Sequence, residues 1–185
     1  MTARGPRVLV TAASRHGSTH QIAGALARSL TESTAGRDLG LAARWLPAEN
    51  RPDPSGFDAV VLGSAVYAGR WLAAARSVVT AHTAALRARP LWLFSSGPIG
   101  APPFPPDEPY DAGTFVQMLS ARGHRVLPGR LEESLLSFEE RAMVTAMRAP
   151  VGDSRDWGAV AAWGEAIAAE LAAIGTPVSA RPSAG

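Results

Sequence analysis

The chain has 185 residues, a formal net charge of +2 and no cysteine, and all 18 of its basic residues are arginine. This composition favours one domain and excludes thiolate nucleophiles, cysteine-ligated metal centres and a P-loop lysine, and without a dense basic patch it does not favour nucleic-acid binding. No apolar run approaches the ~20 residues of a membrane span and the N-terminus is too short for a signal peptide, so we expect a cytoplasmic protein with no transmembrane segment.

Short apolar segments alternate with helical patterns along the chain. The segments of strand length are RVLVTAA (7–13), LAARWLP (41–47), DAVVLGSA (58–65), PLWLFSS (90–96) and HRVLPGRL (124–131). Helical periodicity covers residues 18–32, 72–87, 112–122 and 156–174. This alternation predicts an α/β fold in which a parallel sheet lies between two layers of helices.

Two further segments depart from the strand and helix patterns of the domain. The Pro-rich stretch 101–113 predicts neither a helix nor a central strand, because proline lacks the backbone donor that both require. Residues 175–185 are rich in small and polar residues and are predicted to be a disordered tail. We therefore place the domain at residues 1–174.

The insert, which we define as residues 132–156, follows the last predicted strand and contains a short predicted helix. The apolar residues of this helix are Phe138, Met143, Val144 and Met147. They either pack against the domain or touch a quinone or a membrane; packing is favoured because the helix is too short to anchor alone. After it, Asp153, Arg155 and Asp156 are expected to pair locally and cap the last helix, with Trp157 in the core.

Loop one, residues 14–19, joins the first predicted strand to the first predicted helix. Its residues are Ser14, Arg15, His16, Gly17, Ser18 and Thr19. The N–H groups of a first helical turn lack carbonyl partners and the helix dipole favours an anion there, so this turn predicts a phosphate site. In the alternative interpretation the loop is an ordinary connection in which Ser14 or Ser18 caps the helix.

Two more glycine-bearing loops follow the third and fourth predicted strands. Loop two covers residues 63–71, and loop three covers residues 95–100. The carboxyl ends of parallel strands meet at one edge of a sheet, so the three loops are expected to form one cleft. A flat heteroaromatic ring with a phosphate tail suits such a cleft, with the phosphate on loop one and the ring between loops two and three.

These motifs resemble the flavodoxin-like FMN-binding family. The phosphate loop of that family reads Ser/Thr-x-Thr-Gly-x-Thr, which Ser14, Gly17 and Thr19 match, whereas His16 replaces the middle threonine. The sequence SRHGST, the Gly-Ser-x-x-Tyr-x-Gly-Arg-Trp of loop two and the segment GDSRDW (152–157) are similar to the group that includes menaquinone-dependent protoporphyrinogen oxidase. That group also carries a helix-containing insert after its fifth strand.

The resemblance implies a flavodoxin-like three-layer sandwich with the sheet order 2-1-3-4-5, non-covalently bound FMN and redox chemistry without a catalytic acid or base. Loop one would surround the phosphate. The ring contacts implied are Ser64, Ala65, Val66, Tyr67, Gly69 and Trp71 in loop two, and Ser96, Gly97, Pro98, Ile99 and Gly100 in loop three. Loop three has no aromatic residue, which leaves one ring face open to a second substrate, such as a quinone or a porphyrinogen.

Two alternatives stay open. The domain could lack flavin and act as an interaction or scaffold module, since a fold does not fix a function. His16 either contacts the phosphate or substrate or faces solvent. His16 and His20 have helical spacing, but no carboxylate motif accompanies them, so no metal site is predicted.

Overall fold

The structure, a computed structural model, describes residues 5–97, 99–100 and 109–175. Its strands are β1 (Arg7–Ala13), β2 (Ala42–Pro47), β3 (Ala59–Tyr67), β4 (Arg70–Trp71), β5 (Leu91–Ser96), β6 (Gly123–Leu127), β7 (Arg130–Leu131) and β8 (Gly152–Asp153). Its helices are α1 (Ser18–Glu32), α2 (Thr34–Leu39), α3 (Ala73–Arg87), α4 (Tyr110–Leu119), α5 (Phe138–Ala146) and α6 (Trp157–Gly175). The predicted tail beyond residue 175 and most of the Pro-rich stretch lie outside the described residues.

Five parallel strands form the central sheet in the order β2-β1-β3-β5-β6. Counted along the parallel strands this is the predicted order 2-1-3-4-5, which is confirmed. The strand ends are level, because Ala13 pairs with Ser64 and Ser64 pairs with Ser95. Loops one, two and three therefore leave the sheet at the same edge.

The two sheet faces bury different residues because successive side chains of a strand point to opposite sides. On one face of β1, Val8 and Val10 pack with α1 and α6, while on the other Leu9 packs with residues of α3. All three are fully buried. This double coverage explains why the strand is a continuous apolar run.

Helix α6 completes the layer beside α1. Its 19 residues and mean hydropathy of 1.2 are sufficient to cross a membrane by length and composition. However, its apolar stripe, which includes Trp163 and Ile167, is buried in the core. At Gly164 the two helices approach so closely that an added Cβ would lie 2.6 Å from the Cβ of Ser29. We therefore describe α6 as a core helix.

Several predicted boundaries were wrong. The fifth predicted strand, 124–131, is divided, because β6 ends at Leu127 and β7 turns to pair antiparallel with β8. The Pro-rich stretch 101–113 was predicted to exclude helix, but α4 begins at Tyr110, after its last proline. Helix α2 and strand β4 were not predicted.

Two predictions of burial were also wrong. Trp157 is 44% exposed and stacks under the Arg155 guanidinium, 4.6 Å from its ring centroid, rather than entering the core. On α5, Phe138 is 81% exposed and Met143 62% exposed, so the favoured prediction that this apolar face packs down fails. The helix instead contacts loop one through Glu140, and these apolar side chains stay exposed.

Candidate functional site

Loop one leads into the start of α1. Gly17 is the N-cap residue of α1, with φ 85°, and among the described residues no side chain caps this helix. The hydroxyl of Ser14 accepts a hydrogen bond from the N–H of Gly17 (3.0 Å). This bond lies within loop one and does not cap α1. The interpretation of Ser14 or Ser18 as an ordinary helix cap is therefore wrong.

The space beside Gly17 is open, since an added Cβ would meet no atom of the described residues within 4 Å. The positive φ of this residue favours glycine, and the first N–H groups of α1, which follow it, have no carbonyl partner within the helix. Ser18 and Thr19, the first residues of the helix, are both buried. An uncapped helix start with an open approach has the donor set that a phosphate requires.

Neighbouring segments hold loop one in place. The N–H of Ser14 donates to Glu49 Oε1 (3.0 Å), and the hydroxyl of Ser18 accepts from the N–H of Arg130 at the start of β7 (3.2 Å). His20, one turn into α1, bonds the other oxygen of Glu49 (3.2 Å). The loop is thus fixed on one side by the segment after β2 and on the other by the segment that leads to the insert.

A carboxylate of the insert lies against loop one. Glu140 Oε1 is 2.8 Å from Arg15 Nε and 3.2 Å from His16 Nε2. Its other oxygen accepts from the N–H of Ser137 (2.8 Å), within the capping box of α5. The Ser137 N–H, aided by His16 and Arg15, holds the pKa of Glu140 below its ordinary value, so this group is a carboxylate at neutral pH.

Loop two is a tight hairpin. Ala68 and Gly69 both have positive φ and let β4 turn back along the end of β3. The ring of Tyr67 stays half-buried, with the Arg15 guanidinium 5.1 Å from its centroid. Burial raises the pKa of Tyr67, and Glu140 adds to this effect. Tyr67 therefore links loop two to loop one.

Trp71 was predicted beside the ring, but its side chain lies in the core, where it is 2% exposed. Its indole N–H donates to the hydroxyl of Ser95 (2.8 Å), and its ring packs against Phe115. The neighbouring hydroxyl of Ser64, also buried, accepts from the N–H of Leu72 (2.9 Å). Of the aromatic residues in loop two, Tyr67 alone is placed to meet a ligand.

Loop three is held by the end of the insert. Ser95 and Ser96 are buried, and Ile99 is 7% exposed. The N–H of Gly100 donates to the hydroxyl of Ser154 (2.8 Å). Pro98, which was predicted as a ring contact, and residues 101–108 lie outside the described residues.

The segment 152–157 has the predicted structural role. Asp153 accepts two hydrogen bonds from the Arg155 guanidinium, at 2.8 Å and 2.6 Å, and Arg155 also bonds Gln21 of α1. Asp156 accepts from the N–H of Ala159 (2.9 Å) and so caps α6. Local pairing and capping are therefore confirmed, although Trp157 is on the surface.

The site thus unites residues from all three loops with Glu140, which sequence reasoning missed. In the sequence Ser137-x-x-Glu140 is a capping-box pattern, which marks a helix start but gives no partner 124 residues away. Two open cavities, of about 440 Å³ along α3 and about 460 Å³ along α1, are lined by residues outside the three loops. Within the described residues, no three His, Asp or Glu side chains cluster as metal ligands would.

A family model, the flavodoxin domain, matches residues 9–157. Since the match covers most of the chain and the sheet order agrees, the protein belongs to the flavodoxin domain family. No curated protein matches the chain.

Solved structures share the fold at low identity. The Flv1 flavodiiron core from Synechocystis sp. PCC6803 has a TM-score of 0.63 and 14% identity, over 93% of this chain and 37% of that one. Rubredoxin oxygen:oxidoreductase from Desulfovibrio gigas has a TM-score of 0.59 and 13% identity, over 94% and 38%. A flavodoxin from Streptococcus pneumoniae TIGR4 has a TM-score of 0.54 and 18% identity, over 91% and 99%. The chain spans less than two fifths of the first two proteins, and these likenesses show the fold alone.

Proposed function

We propose that the protein binds FMN non-covalently in the three-loop cleft and acts as an FMN-dependent redox protein. The observation that carries the proposal is the start of α1, where no side chain of the described residues caps the helix and the space beside Gly17 is open. When bound, the flavin supplies the electron or hydride chemistry. The residues of the chain bind and orient it: loop one the phosphate, Tyr67 the ring, and the backbone of loop three the ring edge.

We further propose a quinone-linked oxidoreductase of the protoporphyrinogen oxidase type, working in the cytoplasm with peripheral contact to a membrane. Support comes from α5, which contacts loop one through Glu140 and leaves the side chains of Phe138, Met143 and Met147 exposed. Exposed apolar residues beside a redox site suit an apolar or planar partner. The absence of an aromatic residue in loop three leaves room for that partner at the ring.

The binding site is tested by two isosteric variants, Gly17→Asp and Gly17→Asn. Asparagine and aspartate both tolerate positive φ, so the pair differs mainly in charge. We expect Gly17→Asp to bind FMN at least about 100-fold more weakly than Gly17→Asn, because its carboxylate faces the phosphate. Riboflavin, which has no phosphate, should bind both variants equally. Quenching of flavin fluorescence measures both affinities.

Equal FMN affinity of the two variants would show that loop one does not hold the phosphate. A colourless protein that quenches neither flavin would instead favour the scaffold interpretation. With FMN bound, anaerobic mixing with NAD(P)H, menaquinol or protoporphyrinogen then identifies the electron donor from bleaching of the flavin absorption. Reduction by NAD(P)H but by neither of the other two would contradict the quinone-linked proposal.

A further inference from the structure

Glu140 lies outside the three loops, yet it contacts two side chains of loop one through a single oxygen. Its Oε1 meets Arg15 Nε and His16 Nε2, while Oε2 is taken by the N–H of Ser137. The side chain is 14% exposed, and the capping box of α5 fixes its backbone. Helix α5 therefore fixes the orientation of the His16 ring.

This contact determines which nitrogen of His16 carries hydrogen. A carboxylate oxygen can only accept a hydrogen bond, so the Nε2 atom that faces Glu140 must be protonated. The other nitrogen, Nδ1, is then a bare acceptor in the neutral ring and a donor in the imidazolium. The oxygens of a dianionic phosphate can only accept a hydrogen bond from such a ring. His16 can therefore bind a phosphate through Nδ1 only as the imidazolium.

The charges around His16 oppose one another. Glu140 from α5 favours the imidazolium, whereas Arg15 from loop one opposes it, although the same carboxylate oxygen partly neutralises Arg15. Tyr67 of β3 lies under Arg15. On the other side of the loop, Glu49 and His20 form a separate pair. A dianionic ligand at loop one would add the charge that tips this balance toward the imidazolium.

We propose that Glu140 is a positioning residue that holds His16 as a cationic donor to the flavin phosphate. His16 then donates to the phosphate at the position where the family pattern has the hydroxyl of the middle threonine. At neutral pH, binding of FMN is therefore accompanied by protonation of His16. This inference depends on the proposed function, since it concerns the same phosphate site. It makes affinity for the phosphorylated flavin dependent on pH and on a residue of the insert.

The test compares FMN and riboflavin affinities from about pH 5.5 to about pH 8.5 in the wild type, His16→Thr and Glu140→Gln. His16→Thr restores a neutral hydroxyl, so its curve reports the titration of the FMN phosphate itself. Relative to that control, the FMN-over-riboflavin preference of the wild type should fall about tenfold between about pH 6 and about pH 8. Calorimetry in two buffers of different ionisation enthalpy should show proton uptake for the wild type that His16→Thr lacks.

Glu140→Gln keeps an oxygen for His16 Nε2 but removes the charge. We expect its FMN preference to fall at a lower pH than in the wild type, and we expect Glu140→Asp, which keeps the charge, to restore part of this difference. A wild-type preference that parallels His16→Thr at every pH, or a Glu140→Gln curve that superimposes on the wild type, would overturn the inference alone. Binding of neither flavin at any pH would overturn the proposed function as well.

Discussion

The ion pair between Asp153 and Arg155 supports the segment that holds loop three. The Arg155 side chain is 6% exposed and the Asp153 side chain 44% exposed, and two hydrogen bonds join them. The hydrogen bonds and charge of Arg155 lower the pKa of Asp153 to about 2. The hydroxyl of Ser154, the residue between them, accepts a hydrogen bond from the N–H of Gly100. Asp153→Asn should therefore destabilise the domain and loosen loop three.

The magnitude follows from the pKa and the exposure. A pKa of about 2 in place of 3.8 corresponds to about 2.5 kcal/mol. At a carboxylate that is 44% exposed, solvent screening reduces this to about 1 kcal/mol. The buried guanidinium loses its ion partner but keeps Gln21 and the Trp157 ring, which limits the additional cost. We expect Asp153→Asn to lower the free energy of unfolding by about 1–2 kcal/mol at pH 7.

The effect has a defined pH range. Because the folded pKa of Asp153 is depressed, its stabilisation is fully present above the ordinary pKa of 3.8 and disappears as the pH falls through about 2. The difference between wild type and Asp153→Asn should therefore stay constant from pH 7 to about pH 4 and narrow below it. Urea unfolding followed by tryptophan fluorescence measures it, with Glu165→Gln, at an exposed carboxylate of α6, as the control. Two results would refute this reasoning: equal free energies of unfolding of wild type and Asp153→Asn at pH 7, or a difference between them that is as large at about pH 2 as at pH 7.

Two further predictions concern the core. Thr11 is fully buried, and its hydroxyl has no hydrogen-bond partner among the described residues, so Thr11→Val should stabilise the domain by about 1 kcal/mol in thermal unfolding; a loss would show that the hydroxyl is satisfied. Gly164→Val should destabilise by about 1–3 kcal/mol, because the added Cβ meets Ser29 at 2.6 Å. The double variant Gly164→Val/Ser29→Gly should be more stable than the sum of the two single-variant effects predicts, because removing the Ser29 side chain relieves the clash. Additive losses of unfolding free energy would contradict the contact.

The sequence predicts the scaffold well where one local signal dominates. The apolar run at 7–13 and the helical pattern at 18–32 coincide with β1 and α1, since a glycine at position 17 separates two clear periodicities. Some of the shortest elements, such as helix α2, escaped prediction because they have too few residues for a clear period. Strand β4 is an example: it exists because Ala68 and Gly69 reverse the chain, and Tyr67 and Val66 offer it a free edge.

The candidate site was predictable only in part. The three loops converge as expected from a parallel sheet, and the loop-one backbone has the expected donors. The side chains depend on longer-range packing. Trp71 follows the same strand end as Tyr67, but pairing with Val66 and the bond to Ser95 direct it into the core. No local pattern could indicate this, nor the contact of Glu140 with loop one.

Contacts that hold loops one and three come from one segment, the chain from β7 to the start of α6. It touches loop one twice, through the N–H of Arg130 on Ser18 and through Glu140, and it touches loop three through Ser154. The pairing of β7 with β8 fixes the two ends of this chain relative to each other. Since the same segment exposes apolar residues of α5, a partner that binds there would act on loop one through Glu140. If the proposed function holds, variants in the insert should therefore alter flavin affinity.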